Sequence, residues 1–343
     1  MKRSLILFAL AIVSAIQGQP QTPEPLKLIQ TIGMQDVPVG PYTDHLAVDV
    51  KGQRIFATPQ ARKSVQVFDL NSGRFLHEIA GLGNPHAVLY RGDLERIYVV
   101  DGEPGLVRIY DGRDYHSLQT VSLLADADAL GYDPATKLAY VTNGGRGAKL
   151  DYTVLSAVDT GTGEHIGDIK VSTGVLEALA IESSTSKIYI NLPRDNQVAV
   201  LDRDKRTVIT TWPLTRGKKN MAIALDEGRH RLFVGCRNSD MSGTIVVIDT
   251  QTGKEIDSLP IGGWVDYLAW DPFSNRIYAS CGTGYVYVFQ ARDPDHYDLA
   301  GKAETAVMAK TALLVPELHR LFVGVPHIGG TSAKILVFQT EGY

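Results

Sequence analysis

The chain has 343 residues, 33 of them glycine, and 21% carry charge, which is ordinary globular composition with ample length to bury a large core. Its formal net charge of −4 is mild and marks it as neither a nucleic-acid-binding nor a membrane-surface protein on composition alone.

The first residues read as an address. Lys2 and Arg3 form a short basic head, Ser4 to Ile16 is an uncharged and largely apolar run, and Gln17, Gly18, Gln19 and Pro20 follow. This order is that of a secretory signal peptide over residues 1–18, with cleavage expected between Ala15 and Gly18. The run is too short for an ordinary spanning helix, which needs about 20 apolar residues, so an uncleaved anchor is the lesser alternative. With no cysteine near the cleavage region, a lipid anchor is not expected. Residues 19–25 read as a flexible mature N-terminus, and the chain is expected in the periplasm or outside the cell. Residues 26–343 then form a single domain.

Within that domain a basic residue followed by an apolar β-forming run recurs seven times: Arg54-Ile-Phe, Arg96-Ile-Tyr, Lys137-Leu-Ala-Tyr, Lys187-Ile-Tyr, Arg231-Leu-Phe, Arg276-Ile-Tyr and Arg320-Leu-Phe. The spacings are 42, 41, 50, 44, 45 and 44 residues, a period of solenoids, arrays or propellers. Each unit reads as four strands. An apolar run such as Leu46-Ala-Val comes first, then a turn, then the basic-led strand. A third strand follows, as in Val65-Gln-Val-Phe, and a fourth leads out, as in Phe75-Leu-His-Glu-Ile. Five third strands end in an aspartate that opens a turn: Asp69, Asp111, Asp159, Asp202 and Asp249. No long helical period is present.

Four antiparallel strands repeated radially define an all-β, seven-bladed β-propeller. The run Leu26 to Ile32 has no blade of its own, and the last unit stops at its third strand, Ile335 to Phe338. The N-terminal strand is therefore expected to complete the seventh blade and cover its edge. Blade 3 carries Tyr140-Val141-Thr142-Asn143, and on this tetrapeptide the chain resembles the YVTN-repeat propellers over roughly residues 26–340. That resemblance implies an exported propeller, in a family where many members have no assigned activity. The WD-repeat pattern is missing, because no Trp-Asp pair closes a third strand.

The starts of the seven first strands supply one polar residue per blade: His45, His86, Asp128, Glu177, Asn220, Asp266 and Lys310. These are expected to line the central channel, with the register open by one residue. They read either as solvated channel walls or as ligands of a divalent cation or polar molecule, with Asp128, Glu177 and Asp266 as metal candidates. Imidazole with carboxylate suits zinc, manganese or iron better than calcium. Loops at the same mouth are basic: Arg146, Lys149, Arg194, Arg216, Lys218, Lys219 and Arg237. The opposite face carries Asp133, Asp159, Glu182, Asp202, Asp226 and Asp249, so the molecule is expected to be electrically polar. Aromatic interleaving of the kind that stacks bases does not accompany the basic loops, which leaves nucleic acid weakly supported as a partner.

The two cysteines, Cys236 and Cys281, stand at equivalent positions of neighbouring blades. Export invites a disulfide. Against it, packed sheets lie about 10 Å apart, while bridged α-carbons sit within about 7 Å, which favours free thiols. No nucleophile elbow, zinc-protease helix, P-loop or haem-attachment motif occurs. The expectation is an exported, non-catalytic binding or scaffold protein that holds a protein or anionic polymer at one propeller mouth, with no cofactor. Two alternatives stay open. One is a lactonase-like metal-dependent hydrolase sited in the channel, with His45 or His86 as base. The other is an accessory propeller subunit of a redox system.

Overall fold

The computed structural model describes residues 25–340; the expected signal peptide and residues 19–24 lie outside them. Seven four-stranded antiparallel sheets form a ring, and the first strands of neighbouring blades contact one another around its centre. Blade 1 consists of Thr43–Asp49, Arg54–Pro59, Val65–Asp69 and Phe75–Ile79. Blades 2 to 6 span 85–122, 130–171, 179–213, 220–262 and 265–304. Blade 7 joins the two ends of the propeller. Its strands Thr311–Val315, Arg320–Val325 and Lys334–Thr340 are completed by Leu26–Gly33, which pairs antiparallel with the third strand from Leu26↔Thr340 to Gly33↔Lys334. The expected closure is what the backbone shows, and it covers a third-strand edge that would otherwise stand open.

One aromatic per repeat organises the core. Phe56, Tyr98, Tyr140, Tyr189, Phe233, Tyr278 and Phe322 occupy the same place in the seven second strands and are 0–2% exposed. The buried apolar residues fall into seven clusters. Each cluster joins one blade to the next and contains one of these rings. Phe56, for example, stacks on Tyr90 of the next blade at 5.5 Å between centroids. A β-sheet with two apolar faces has to be covered on both sides, and in a ring each blade covers its neighbours.

Polar links bind the same interfaces at both ends. Two positions beyond the aromatic, Thr58, Asn191 and Ser280 bond backbone carbonyls of the next blade's first strand or its approach: His86, Ala222 and Ala309 at 3.3, 3.0 and 3.0 Å. In Tyr140-Val141-Thr142-Asn143 the Thr142 hydroxyl instead receives the Ala129 amide at 3.0 Å, and the Asn143 amide donates to Ser156 at 2.9 Å. All four residues of that tetrapeptide are buried, so its place here is structural. At the far face, basic residues that lead second strands reach the third-to-fourth-strand turn of the next blade: Arg96 to Gly161 O at 2.7 Å, Arg231 to Asp295 at 2.7 Å.

The turn aspartates behave as the sequence implies. Asp69, Asp111, Asp159, Asp202 and Asp249 each accept from the backbone amides two and three residues on, at 2.7–3.4 Å. Cys236 and Cys281 are both free and fully buried, and burial pushes each thiol up to about 12. They fill, in blades 5 and 6, the place that Asn143 holds in blade 3.

Because every interface is built on one ring, Phe322→Ala at the junction of blades 7 and 1 is expected to cost about 3–5 kcal/mol of unfolding free energy in urea titration. A loss below about 1 kcal/mol would show that the junction does not depend on it.

Candidate functional site

The channel residues owe their position to irregularities in the first strands. Pairing with the second strand slips between Thr43 and Leu46, Pro85 and Ala87, Asn220 and Ala222, and Val265 and Tyr267. A bulged residue has no partner across the ladder and is re-aimed. The residues so released are Asp44 with His45, His86, Met221 and Asp266, and all of them line a channel cavity of about 250 Å³ with Asp128, Glu177 and Lys310. In blades 3 and 4 the first strands are short, Leu130–Asp133 and Leu179–Ile181, and Asp128 and Glu177 stand on the approach to them.

Six of the seven channel residues read from the sequence therefore meet: His45, His86, Asp128, Glu177, Asp266 and Lys310. Asn220 does not line the cavity. It is fully buried, and its amide donates to Asn191 Oδ1 and Gln197 O, both at 2.8 Å. The bulge hands the channel position to Met221. Blade 1 gives Asp44 beside His45, 3.6 Å apart. Gln60, Asn84 and Tyr42 also line the cavity and were not singled out in the sequence.

The cavity has two halves. In the first, His86 Nδ1 lies 3.0 Å from Asp44 Oδ2 and 3.1 Å from Asp128 Oδ1, with the Gln60 amide 2.7 Å from Asp44 and 2.9 Å from Nδ1. Burial alone would lower the His86 pKa, but hydrogen bonds to Asp128 and Asp44 outweigh it and push it up to about 10. The other ring nitrogen is held by Asn84 at 2.9 Å. Asn84 is itself pinned through its backbone amide, 2.7 Å from the buried Asp101 carboxylate, which pairs with Arg108 at 2.8 Å. In the second half, Asp266 takes Lys310 on one carboxylate oxygen and Arg237 on the other. Burial opposes its ionisation, but those two cations outweigh it and hold its pKa below the usual value. Asp266 is thus occupied by the protein's own charges, and the set within reach of a single ion is Asp44, His86 and Asp128. Between the halves lies Glu177. Burial first, then the charges of Asp128 and Asp266, hold its carboxyl well above the ordinary carboxylate range.

A larger cavity of about 530 Å³ opens beside the channel, over blades 4 to 6. Arg194, Lys218, Lys219 and Arg237 line it, with Trp264 as its aromatic wall and Asp240 as its one carboxylate. Arg237 and Met221 border both cavities. The backbone amides of Lys218 and Lys219 are fixed by Asn238 and Asn196 at 3.0 and 2.8 Å, while among the described residues no carboxylate pairs with either ammonium. Lys219 and Trp264 sit in the left-handed region, φ 52° and 59°, which is uncommon for a bulky residue and concentrates at functional sites. Arg237 lies over the Trp264 ring at 5.3 Å. The other basic loop residues divide. The stems of Arg146 and Arg194 both pass close to Gly174. Lys149 stands on the same loop as Arg146, outside the cavity. Arg216 is turned away, bonded to Ile256 O at 3.0 Å and 3.8 Å from Glu255.

The expected acidic charge of the far face is largely cancelled. Asp133 pairs with Arg203 at 3.1 Å, Asp249 with Arg231 at 2.8 Å and Asp202 with Lys205 at 3.2 Å, and longer contacts join Asp226 to Arg229 and Glu182 to Lys187. Charge is separated across the mouth instead: carboxylates gather beside blades 1 to 4 and free cations beside blades 4 to 6.

No family model matches the chain, and no curated protein sequence does. Solved structures share its fold. The WD40 repeats of RRP9 align with a TM-score of 0.75 and 13% identity over 92% of this chain and 98% of that one. A chain of a mitotic checkpoint complex aligns at 0.75 and 15%, over all of both chains. Hydrazine synthase of Kuenenia stuttgartiensis aligns at 0.73 and 16%, over 90% of this chain and 99% of that one. The chain is a seven-bladed β-propeller, and at these identities the likeness shows the fold alone.

The seat of His86 depends on Gly102. A Cβ there would stand 2.5 Å from Ala127 O and 2.7 Å from His86 Cδ2. Gly102→Ala is expected to cost about 1–3 kcal/mol in urea titration, whereas Gly33→Ala, whose Cβ meets nothing within 4 Å, should be neutral within about 1 kcal/mol. Equal effects at the two glycines would contradict this packing.

Proposed function

We propose that this protein is an exported, non-catalytic binding protein of the YVTN-repeat type, and that it holds an anionic partner at the basic mouth of its propeller. The observation that carries this reading is the 530 Å³ cavity, in which four cations and one tryptophan face a single carboxylate. Unpaired ammonium groups on a backbone held in place are poised to receive carboxylate, sulfate or phosphate groups. The rigid Trp264 ring offers apolar area beside them at little entropic cost. A partner that presents acidic groups next to an apolar or planar group suits that wall better than a bare inorganic anion.

Export is supported by the basic head at Lys2 and Arg3 and the apolar run that follows. Among the described residues no helix is long and apolar enough to cross a membrane. The family reading is supported by Tyr140 to Asn143 and by the buried hydrogen-bond network that this tetrapeptide forms.

A fluorescein-labelled acidic peptide is the probe for the mouth. Lys218→Gln with Lys219→Gln is expected to weaken its binding roughly tenfold, about 1.4 kcal/mol, and raising the salt from about 50 to 500 mM should weaken the wild type as well. Affinity that responds to neither change would contradict the assignment. For export, the intact mass of protein expressed in a secreting host should lack the residues before a cut between Ala15 and Gly18. Full-length protein retained in the membrane would argue for an uncleaved anchor.

A further inference from the structure

We propose that the channel holds one divalent transition-metal cation, bound by Asp44, His86 and Asp128, with the Glu177 carboxylate balancing its charge from across the cavity. This does not rest on the reading of the basic mouth. The argument begins with ligand spacing. Metal–oxygen and metal–nitrogen bonds of about 2.1 Å place adjacent ligands of an octahedral ion about 3.0 Å apart. His86 Nδ1 stands 3.0 Å from Asp44 Oδ2 and 3.1 Å from Asp128 Oδ1. The three residues come from three different blades, so the convergence is not a by-product of one turn.

The ring is also fixed from its far side. Its Nε2 contacts Asn84, and Asn84 is fixed through the buried Asp101. The Asn84 amide sets the ring's orientation; a metal on Nδ1 leaves the proton on Nε2, and the amide then has to present its oxygen to it. Hydrogen bonds of this kind show that the donors are aimed; they do not by themselves call for an ion.

The independent observation is Glu177. It lines the same cavity, half-buried, with the charges of Asp128 and Asp266 set against its own. Among the described residues its carboxylate has no hydrogen-bond or ion-pair partner, although Asp266 on the same ring of positions has two. A half-buried carboxylate facing like charges is repelled by them, and a cation held by Asp128 would offset that repulsion. Lys310 and Arg237 are both bound to Asp266 and ease the charge of Glu177 only through space, without a contact. One imidazole with two carboxylates suits manganese, iron(II) or zinc better than calcium or magnesium.

The test uses the full mature chain stripped with chelator and titrated with MnCl2 or ZnCl2 alone. Calorimetry is expected to show one site. Asp128→Asn and His86→Gln should weaken it at least tenfold, Glu177→Gln severalfold, and Lys205→Gln on the far face not at all. Circular dichroism establishes that each variant is folded. Pulsed electron paramagnetic resonance of Mn2+ on the wild type needs no variant, and it should show nitrogen coupling from one imidazole. A stripped wild type that takes up neither ion would overturn the proposal. So would a bound Mn2+ without nitrogen coupling, or folded Asp128→Asn and His86→Gln proteins that bind as the wild type does.

Discussion

Everything in this molecule depends on the burial of one aromatic ring between each pair of neighbouring blades. A four-stranded blade cannot bury both of its faces alone, and seven of them can do so only in a closed ring. Phe56, Tyr98, Tyr140, Tyr189, Phe233, Tyr278 and Phe322 sit at the seven interfaces, surrounded by aliphatic residues from both blades. The ring has no interface to spare. The strand Leu26–Gly33 supplies Ile32 and Leu26 to the two interfaces of blade 7, so closure by the N-terminus is a matter of core packing as much as of hydrogen bonding.

The same rings set the register of the channel. Counting back twelve residues from each of them arrives at Asp44, His86, Asp128, Glu177, Met221, Asp266 and Lys310, and all seven line the cavity. The repeat, the blade count and the closing strand were legible because they follow from hydrophobic period and turn chemistry, which are local. The channel register was less legible when counted from the basic residue that leads each second strand. Blade 3 carries one additional residue there, in Lys137-Leu-Ala-Tyr, and bulges release the channel residue in blades 1, 2, 5 and 6. Hence Asn220 stood in for Met221, and His45 drew attention from Asp44. The aromatic, whose place is dictated by the core, is the better ruler.

Charge was harder still to read, since pairing across blades is invisible in one dimension. The far-face aspartates looked like an acidic surface, but Arg203, Arg231 and Lys205 neutralise several of them. Asp266 looked like a ligand, but Arg237, from a loop of the preceding blade, and Lys310, from the next blade, occupy it. At the mouth the unpaired charges are separated by sign. Asp44, Asp128 and Glu177 lie on one side, and Arg194, Lys218 and Lys219 on the other. Arg237 and Met221 border both cavities, so an occupant of the basic cavity touches the residue that holds Asp266. The two halves of the mouth therefore share a wall.

This account stands on the closed ring, and hydrogen–deuterium exchange of the full-length protein tests it most directly. Amides of Leu26–Gly33 should exchange as slowly as those of Lys334–Thr340 and the second strands of the other blades, because all belong to one cooperative closure. Fast exchange confined to residues 26–33, with the remaining blades still protected, would mean that the ring holds without its N-terminal strand and would contradict the account.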